Sequence, residues 1–256
     1  TSAILNSFRT DESRQNSTSH SLGGLVEWKP DTNTTLRYRP TLSFSPSRFN
    51  QTSLLNQSNS LNRLSETDGI YRNNGYRDDF SHNLNYYHRF KKGRSININN
   101  LVNWSSGGNE NYNFNQLNSF SQDIPSSLFD RYINSESKTR WTGLTLMYNL
   151  PISKKLTAEF FTNSRYYYWA EPVFTYDKNT VNNAYDQFIA NQSNDFERTG
   201  FFQNIKPLLN YQITSKLRLR LAIDLEIQDV NNKFNASAPD LRQSFAVWLP
   251  SLAIDY

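Results

Sequence analysis

Large aliphatic residues occupy every second position from Leu217 to Ile227, as Leu217, Leu219, Leu221, Ile223, Leu225 and Ile227; Arg218, Arg220, Ala222, Asp224 and Glu226 lie between them. A period of two puts the aliphatics on one face of a β-strand and the charges on the other. At about 3.4 Å per residue the segment is roughly 34 Å long. Tilted by about 45°, it rises roughly 24 Å, close to the apolar band of a membrane barrel. Soluble strands most often stop at about five or six residues. The pattern predicts a strand that crosses a membrane with its aliphatic face on lipid.

Other segments repeat the pattern with less contrast. Ile96, Ile98, Val102 and Trp104 share one face of a predicted strand, with Asn97, Asn99 and Asn103 opposite. Leu144, Leu146, Tyr148 and Leu150 make a further stripe, as do Leu36, Tyr38, Leu42 and Phe44. Phe80, Leu84, Tyr86 and Phe90 share a face with His82 and His88. Pro40, Pro207 and Pro250 fall in or beside predicted strands, and because each lacks a ladder donor, a bulge or strand end is expected there.

Connections alternate between short and long. Lys29–Asn33, Lys91–Arg94, Pro151–Lys154 and Thr214-Ser215 are tight reversals, recurring roughly every 60 residues. Between them lie long stretches rich in Asn and Ser, at 45–79, 105–139 and 169–199, with a shorter one at 230–243. Short turns at one end and long loops at the other are the habit of outer-membrane barrels, which place the long loops outside the cell. The repeat is therefore hairpin plus loop, and about nine to ten strands are visible. The expected fold is all-β: an antiparallel up-and-down transmembrane β-barrel, seen in part, with short periplasmic turns and long extracellular loops.

Composition supports this reading. Of the 256 residues only 36% are hydrophobic, yet 14% are aromatic, with 15 Tyr, 17 Phe and 5 Trp. A mean hydropathy of −0.74 would suit a disordered chain, but disorder depletes aromatics. A barrel wall reconciles the two, since half of each strand faces a polar lumen. No apolar run approaches the ~18 residues of a spanning helix. The absence of cysteine fixes no compartment. The net charge of +4 is small and, along the sequence, dispersed, which gives no reason to expect nucleic acid. Trp28, Phe90, Tyr148 and Tyr211 lie near the short turns, and Phe44, Phe80, Trp104, Trp141, Tyr168 and Trp169 near the long connections. Two interfacial aromatic girdles are the expectation, although aromatics are common in strands of any kind.

Several segments carry a resemblance to a known family. They are Glu27-Trp28-Lys29-Pro30-Asp31 with Leu42-Ser43-Phe44, and Tyr148-Asn149-Leu150-Pro151-Ile152-Ser153-Lys154-Lys155. Thr175-Tyr176-Asp177 with Tyr185-Asp186, then Ser193-Asn194-Asp195-Phe196 and Leu249-Pro250-Ser251-Leu252, extend the likeness. In spacing and loop placement the chain resembles the outer-membrane β-barrel of Bacteroidetes-type TonB-dependent receptors. The resemblance implies a cell outer-membrane location, a parent barrel of about 22 strands, an N-terminal plug, a TonB energy-coupling complex as partner and a small nutrient ligand. No signal peptide or plug is recognised in residues 1–256, and Asn6–Ser19 reads as a loop-like stretch. The expectation is that the whole chain is one part of a single barrel domain, an internal fragment of a larger receptor.

The search for chemistry is mostly negative. His82 and His88 share a strand face but stand about 20 Å apart at strand rise, too far for one metal. The carboxylates of Asp78-Asp79 and Asp130 lack the spaced oxygens of a calcium loop. Gly107-Gly108 reads as a turn and not a phosphate loop. The Asn-x-Ser/Thr triplets, such as Asn50-Gln51-Thr52, are what an Asn- and Ser-rich chain contains by chance. No metal, cofactor or catalytic residue is expected, and the chain does not read as an enzyme.

Two groups remain as candidates. Arg37, Arg39, Glu159, Arg165, Lys206, Arg218, Arg220, Asp224 and Glu226 lie opposite the apolar stripes and are expected to face the lumen. There they contact a plug or a solute, or only pair with one another across strands. Tyr166, Tyr167, Tyr168 and Trp169 enter a long connection, either as a surface ligand platform or as part of a girdle. The reading is a wall segment of a receptor for energised nutrient uptake, embedded in outer-membrane lipid. Two alternatives are a passive structural or adhesive barrel that binds a partner through its loops, and a soluble β-rich binding module. The soluble module requires a second sheet over Leu217–Ile227.

Overall fold

The computed structural model describes residues 5–122, 125–234 and 239–255. Its strands are β1 (Asn6–Ser17), β2 (His20–Gly23), β3 (Val26–Trp28), β4 (Thr34–Phe44), β5 (Ser47–Ser58), β6 (Arg63–Arg89) and β7 (Ser95–Ser119). They continue as β8 (Ser127–Pro151), β9 (Leu156–Ala170), β10 (Val173–Lys178), β11 (Tyr185–Phe188), β12 (Glu197–Gln212), β13 (Arg218–Lys233) and β14 (Leu241–Asp255). All belong to one antiparallel sheet, whose main path runs β1-β5-β6-β7-β8-β9-β12-β13-β14.

The apparent irregularities of this order come from long strands with interrupted neighbours. β4 pairs the second half of β6, from Phe44↔Asp78 to Thr34↔His88, and β5 continues in the same register on the first half from Ser47↔Gly75. β1, β2 and β3 likewise lie end to end along β5 and β4. β9 and β10 succeed each other along β8, with Glu171-Pro172 between them. The chain is thus an up-and-down meander of barrel-wall type, as the alternation of short and long connections predicts. Among the described residues β1 and β14 do not pair, so the sheet is open at both edges.

The short turns fall where expected, at 29–33, 90–94, 152–155 and 213–217. At 90–94 the turn closes through Lys92 at φ 62° and Gly93 at φ 76°. The long connections lie together at the other end but are themselves β-structure. Residues 45–79 form most of β5 and β6, which turn at 59–62. Residues 105–139 extend β7 and β8, and 169–199 hold β10, β11 and a 3-10 turn at Ala190–Gln192. Residues 123–124 and 235–238, and the terminal Tyr256, lie outside the described residues.

Asn6–Ser17, expected as loop, is a strand with all twelve residues paired to β5. Both faces of β1 are largely polar, so no alternation marks it, and it is held mainly by backbone ladder bonds, with Gln51 of β5 donating to Asp11 at 3.4 Å. The prolines also differ from expectation. β4, β12 and β14 run through Pro40, Pro207 and Pro250 without a register shift. The β12–β13 ladder skips its rungs at Pro207 and resumes in register at Leu208↔Ala222. A missing donor costs a rung here, and long flanking ladders keep the strand continuous.

Directly opposed residues share a face, so the registers join the separate stripes into one band. Leu36 opposes Trp28 and Tyr86, Tyr86 opposes Ile98, and Ile98 opposes Leu146. Further along, Tyr148 opposes Phe160, Phe160 opposes Pro207, and Leu209 opposes Leu221, which opposes Leu252. Among the described residues no second layer covers this band. Leu144, Leu221, Ile223 and Leu252 are 46–62% exposed or close to it, at 47%, 46%, 48% and 62%. The buried hydrophobics among the described residues are only Ala170, Phe196, Ala222 and Val230. The second sheet that a soluble module requires over Leu217–Ile227 is therefore absent from the described residues.

Candidate functional site

The face opposite the band is built by the alternate residues, and it collects all nine charged candidates. Arg37 and Arg39 reach it from β4, Glu159 and Arg165 from β9, Lys206 from β12, and Arg218, Arg220, Asp224 and Glu226 from β13. The shared face follows from the rungs Arg37↔Asn85↔Asn99↔Thr145↔Asn163↔Asn204 and from the in-register continuation of β12 onto β13.

Around β4–β8 this face forms a polar concavity of about 350 Å³, lined by Arg37, Arg39, Asn83, Asn85, Asn97, Asn99, Thr145 and Met147. Asn85 Nδ2 donates to Asn97 Oδ1 at 2.7 Å, and Thr145 Oγ1 donates to Asn163 Oδ1 at 3.3 Å. Arg37 is held by Glu27 of β3, whereas Arg39 forms no ion pair among the described residues. The Oδ1 atoms of Asn99 and Asn149 are buried without a partner. A polar concavity beside a guanidinium with no ion-pair partner among the described residues suits an acceptor or anionic group approaching this face.

Nearer β13, Lys206, Asp224, Glu159 and Arg220 are held by partners across the strands. Lys206 Nζ lies 3.4 Å from Asp224, which also accepts from Asn204. Asn210 donates to Glu159 at 2.7 Å and accepts from Arg220 at 3.2 Å. This half of the face behaves as a cross-strand network.

Arg165 stacks its guanidinium on Trp141 at 5.1 Å. Above it Arg198 lies over both Trp169 and Phe196, at 5.6 and 5.4 Å, and donates to Asn232 at 2.6 Å. Gly200 lies beside the Tyr167 ring, so close that a Cβ there would stand 2.2 Å from a ring carbon. From the sequence Arg198 is not singled out, and Asn97 and Asn99 are placed on the polar face without being assigned to a site. Counting by twos from Lys206 back to Arg198 would have placed that arginine.

The run Tyr166–Trp169 does not make one platform. Tyr166 opposes Thr142 and Phe201 on the band face, and Tyr168 opposes Arg140 there. Tyr167 opposes Trp141 and Trp169 opposes Arg198 on the polar face. Alternation also corrects the girdle assignment: Trp141 and Trp169 belong to the polar face. Phe44, Phe80, Trp104 and Tyr168 remain at the upper edge of the band, and Phe80 and Trp104 pack at 5.5 Å. Trp28, Phe90, Tyr148 and Tyr211 line its lower edge.

Beyond the upper edge, β11 folds back on the band side and makes a small aromatic cluster. Tyr112 and Tyr132 stand 4.8 Å apart, Tyr185 is 5.8 Å from each, and Tyr176 is 5.5 Å from Phe188. Tyr185 donates to Asp130 at 2.7 Å, and Lys178 lies 3.2 Å from the same carboxylate. Burial, with Glu110 adding to it, pushes the Tyr132 phenol up to about 12. Burial and the bond to Asp130 push Tyr185 up to about 12.

The two strand histidines sit in local contacts, with the Nδ1 atom of His82 buried without a hydrogen-bond partner among the described residues. His82 lies 5.6 Å from Tyr38, and His88 bonds Thr34 at 2.8 Å. No group of three metal-binding side chains occurs among the described residues.

No family model and no curated protein matches the chain. Solved structures do. The ferripyoverdine receptor of the outer membrane of Pseudomonas aeruginosa aligns over 97% of this chain and 39% of its own, at 10% identity and a TM-score of 0.41. The ferric preacinetobactin receptor from Acinetobacter baumannii aligns over 98% and 44%, at 9% identity and a TM-score of 0.34. An outer-membrane protease from Escherichia coli aligns over 100% and 98%, at 7% identity and a TM-score of 0.26. The chain spans less than half the length of the two receptors.

Proposed function

We propose that the chain is part of the wall of an outer-membrane β-barrel of the TonB-dependent-receptor kind, serving energised nutrient uptake. The observation that carries this reading is the two-faced, uncovered sheet. One face is an apolar band that on β13 runs from Leu219 to Ile227, with Leu217 in the turn just before it, bounded by aromatics. Such a face, left in water, would be a large unpartnered apolar patch; against lipid it is satisfied at the strand length a bilayer demands. The other face carries the charged and amide side chains from β4 to β13 and fits a lumen, although on β14 it presents Phe245, Val247 and Leu249. The open edges support a longer parent barrel, since a wall with unpaired edges invites other strands. In this reading the concavity at Arg37 and Arg39 meets a plug or a passing solute. The wall binds and guides; it carries out no catalysis and requires no metal or cofactor.

The test is growth of cells lacking the full-length protein on single limiting nutrients, with and without complementation. Uptake that requires the protein and stops when the proton gradient is collapsed would sustain the reading. Protein-dependent uptake that survives collapse would indicate a passive pore. A second reading, adhesion through the extracellular hairpins, is favoured by the reach of β6, β7 and β8, of 27, 25 and 25 residues, well beyond the band. It predicts surface binding with no uptake.

A further inference from the structure

The charge that is dispersed along the sequence is gathered by the fold. Lys91, Lys92 and Arg94 lie in one turn, Lys154 and Lys155 in the next, and Lys216 in the one after, all exposed. None forms an ion pair among the described residues. The turns touch in a row. A Cβ on Gly93 would meet Pro151 at 3.5 Å, and Lys155 O accepts from Gln212 N at 2.7 Å. Successive hairpin turns stand two strands apart, about 10 Å, so their charges add within one screening length. At the opposite end the turns at 59–62 and 179–184 carry no charged residue.

This cationic row begins where the apolar band stops. Phe90 and Tyr148, on the band face, join Lys91 and Arg94 to line a notch of about 310 Å³. Aromatics followed outward by Lys and Arg match the boundary between acyl chains and headgroups. We propose that the row of short turns is a binding edge for anionic phospholipid, with the notch as its best-formed seat. The phosphate lies between Lys91 and Arg94, and the first methylenes lie along Phe90 and Tyr148. Anionic headgroups are attracted to such juxtamembrane cations and released by salt. The inference rests on the membrane placement argued above.

The test uses the full-length protein in neutral detergent, mixed with equal amounts of phosphatidylglycerol and phosphatidylcholine of the same chain length, with bound lipids counted by native mass spectrometry. Phosphatidylglycerol should be retained several-fold over phosphatidylcholine. The preference should fall to near parity in Lys91→Gln/Lys92→Gln/Arg94→Gln, and on raising salt from about 50 to about 500 mM. Folding of each variant is checked by heat-modifiable migration. If the triple variant does not fold, Lys154→Gln/Lys155→Gln and the salt series carry the test, with a smaller loss expected. Equal retention of the two lipids by the unmodified protein would overturn the proposal. So would an unchanged preference in the folded variants, or displacement of the lipid by an equal concentration of inorganic phosphate, which would make free phosphate the ligand. A loss of membrane insertion altogether would instead count against the outer-membrane reading.

Discussion

Leu221 on β13 stands directly across the ladder from Leu252 on β14, and the two side chains are 46% and 62% exposed. The pair belongs to an apolar band that continues inward through Leu209 and Phe160, and among the described residues nothing packs on it, as expected of a surface meant for lipid. Leu221→Arg is therefore expected to lower folding stability by about 2–4 kcal/mol when the protein is refolded into vesicles. Glu226→Gln, on the polar face of the same strand, is expected to change it by no more than about 0.5 kcal/mol. Urea titration followed by tryptophan fluorescence measures both, and equal effects would remove the lipid assignment.

Gly200 makes room for the Tyr167 ring on the polar face. Gly200→Ala should force that ring away and cost about 1–3 kcal/mol. In Tyr167→Ala the same substitution should be nearly neutral. A double-mutant cycle showing no coupling between the two positions would contradict the contact.

The tyrosine cluster beyond the band predicts an alkaline transition. Tyr132 and Tyr185 titrate at about 12 in the folded protein, against an ordinary 10.0. A raised folded value means that the native cluster holds its protons more tightly than the unfolded chain. Its stabilisation is then complete below about pH 10 and is lost as pH rises towards 12. Absorbance of tyrosinate should show a late-titrating fraction, and Asp130→Asn should move the Tyr185 part of it only partway back towards about pH 10, because burial is the larger cause and remains. A single titration near pH 10 would contradict the packing.

Joining Ser47 to Gly75 through a short turn would remove the β5–β6 extension and leave the β4–β6 pairing intact. Folding of the wall, read as heat-modifiable migration, is expected to survive. β1 loses its partner β5, so Asn6–Ser17 should become sensitive to protease. Loss of wall folding would show that the extension is needed for it.

How much of this was legible in the sequence depended on contrast between the faces. Leu217–Ile227 and Leu144–Leu150 alternate apolar with polar residues, and the structure places them as expected. The nine charged candidates sort onto one face by parity alone. Above the band both faces of a strand meet water, so alternation has no physical cause. β1, β5 and the outer halves of β6, β7 and β8 therefore looked like loops. The split of Tyr166–Trp169 between faces was available from the same parity argument. The partners of Arg198 and the clustering of basic turns were not, since they depend on which hairpins become neighbours.

The central claim is a wall that spans the outer membrane with its hairpin extensions outside and its basic turns inside. The chain has no cysteine, so a single introduced thiol reports one place. In intact cells carrying the full-length protein, Ser60→Cys should react with a membrane-impermeant thiol reagent, and Lys92→Cys should react only after the outer membrane is opened. Labelling of Lys92→Cys in intact cells, or recovery of the unlabelled protein in the soluble fraction, would contradict the account.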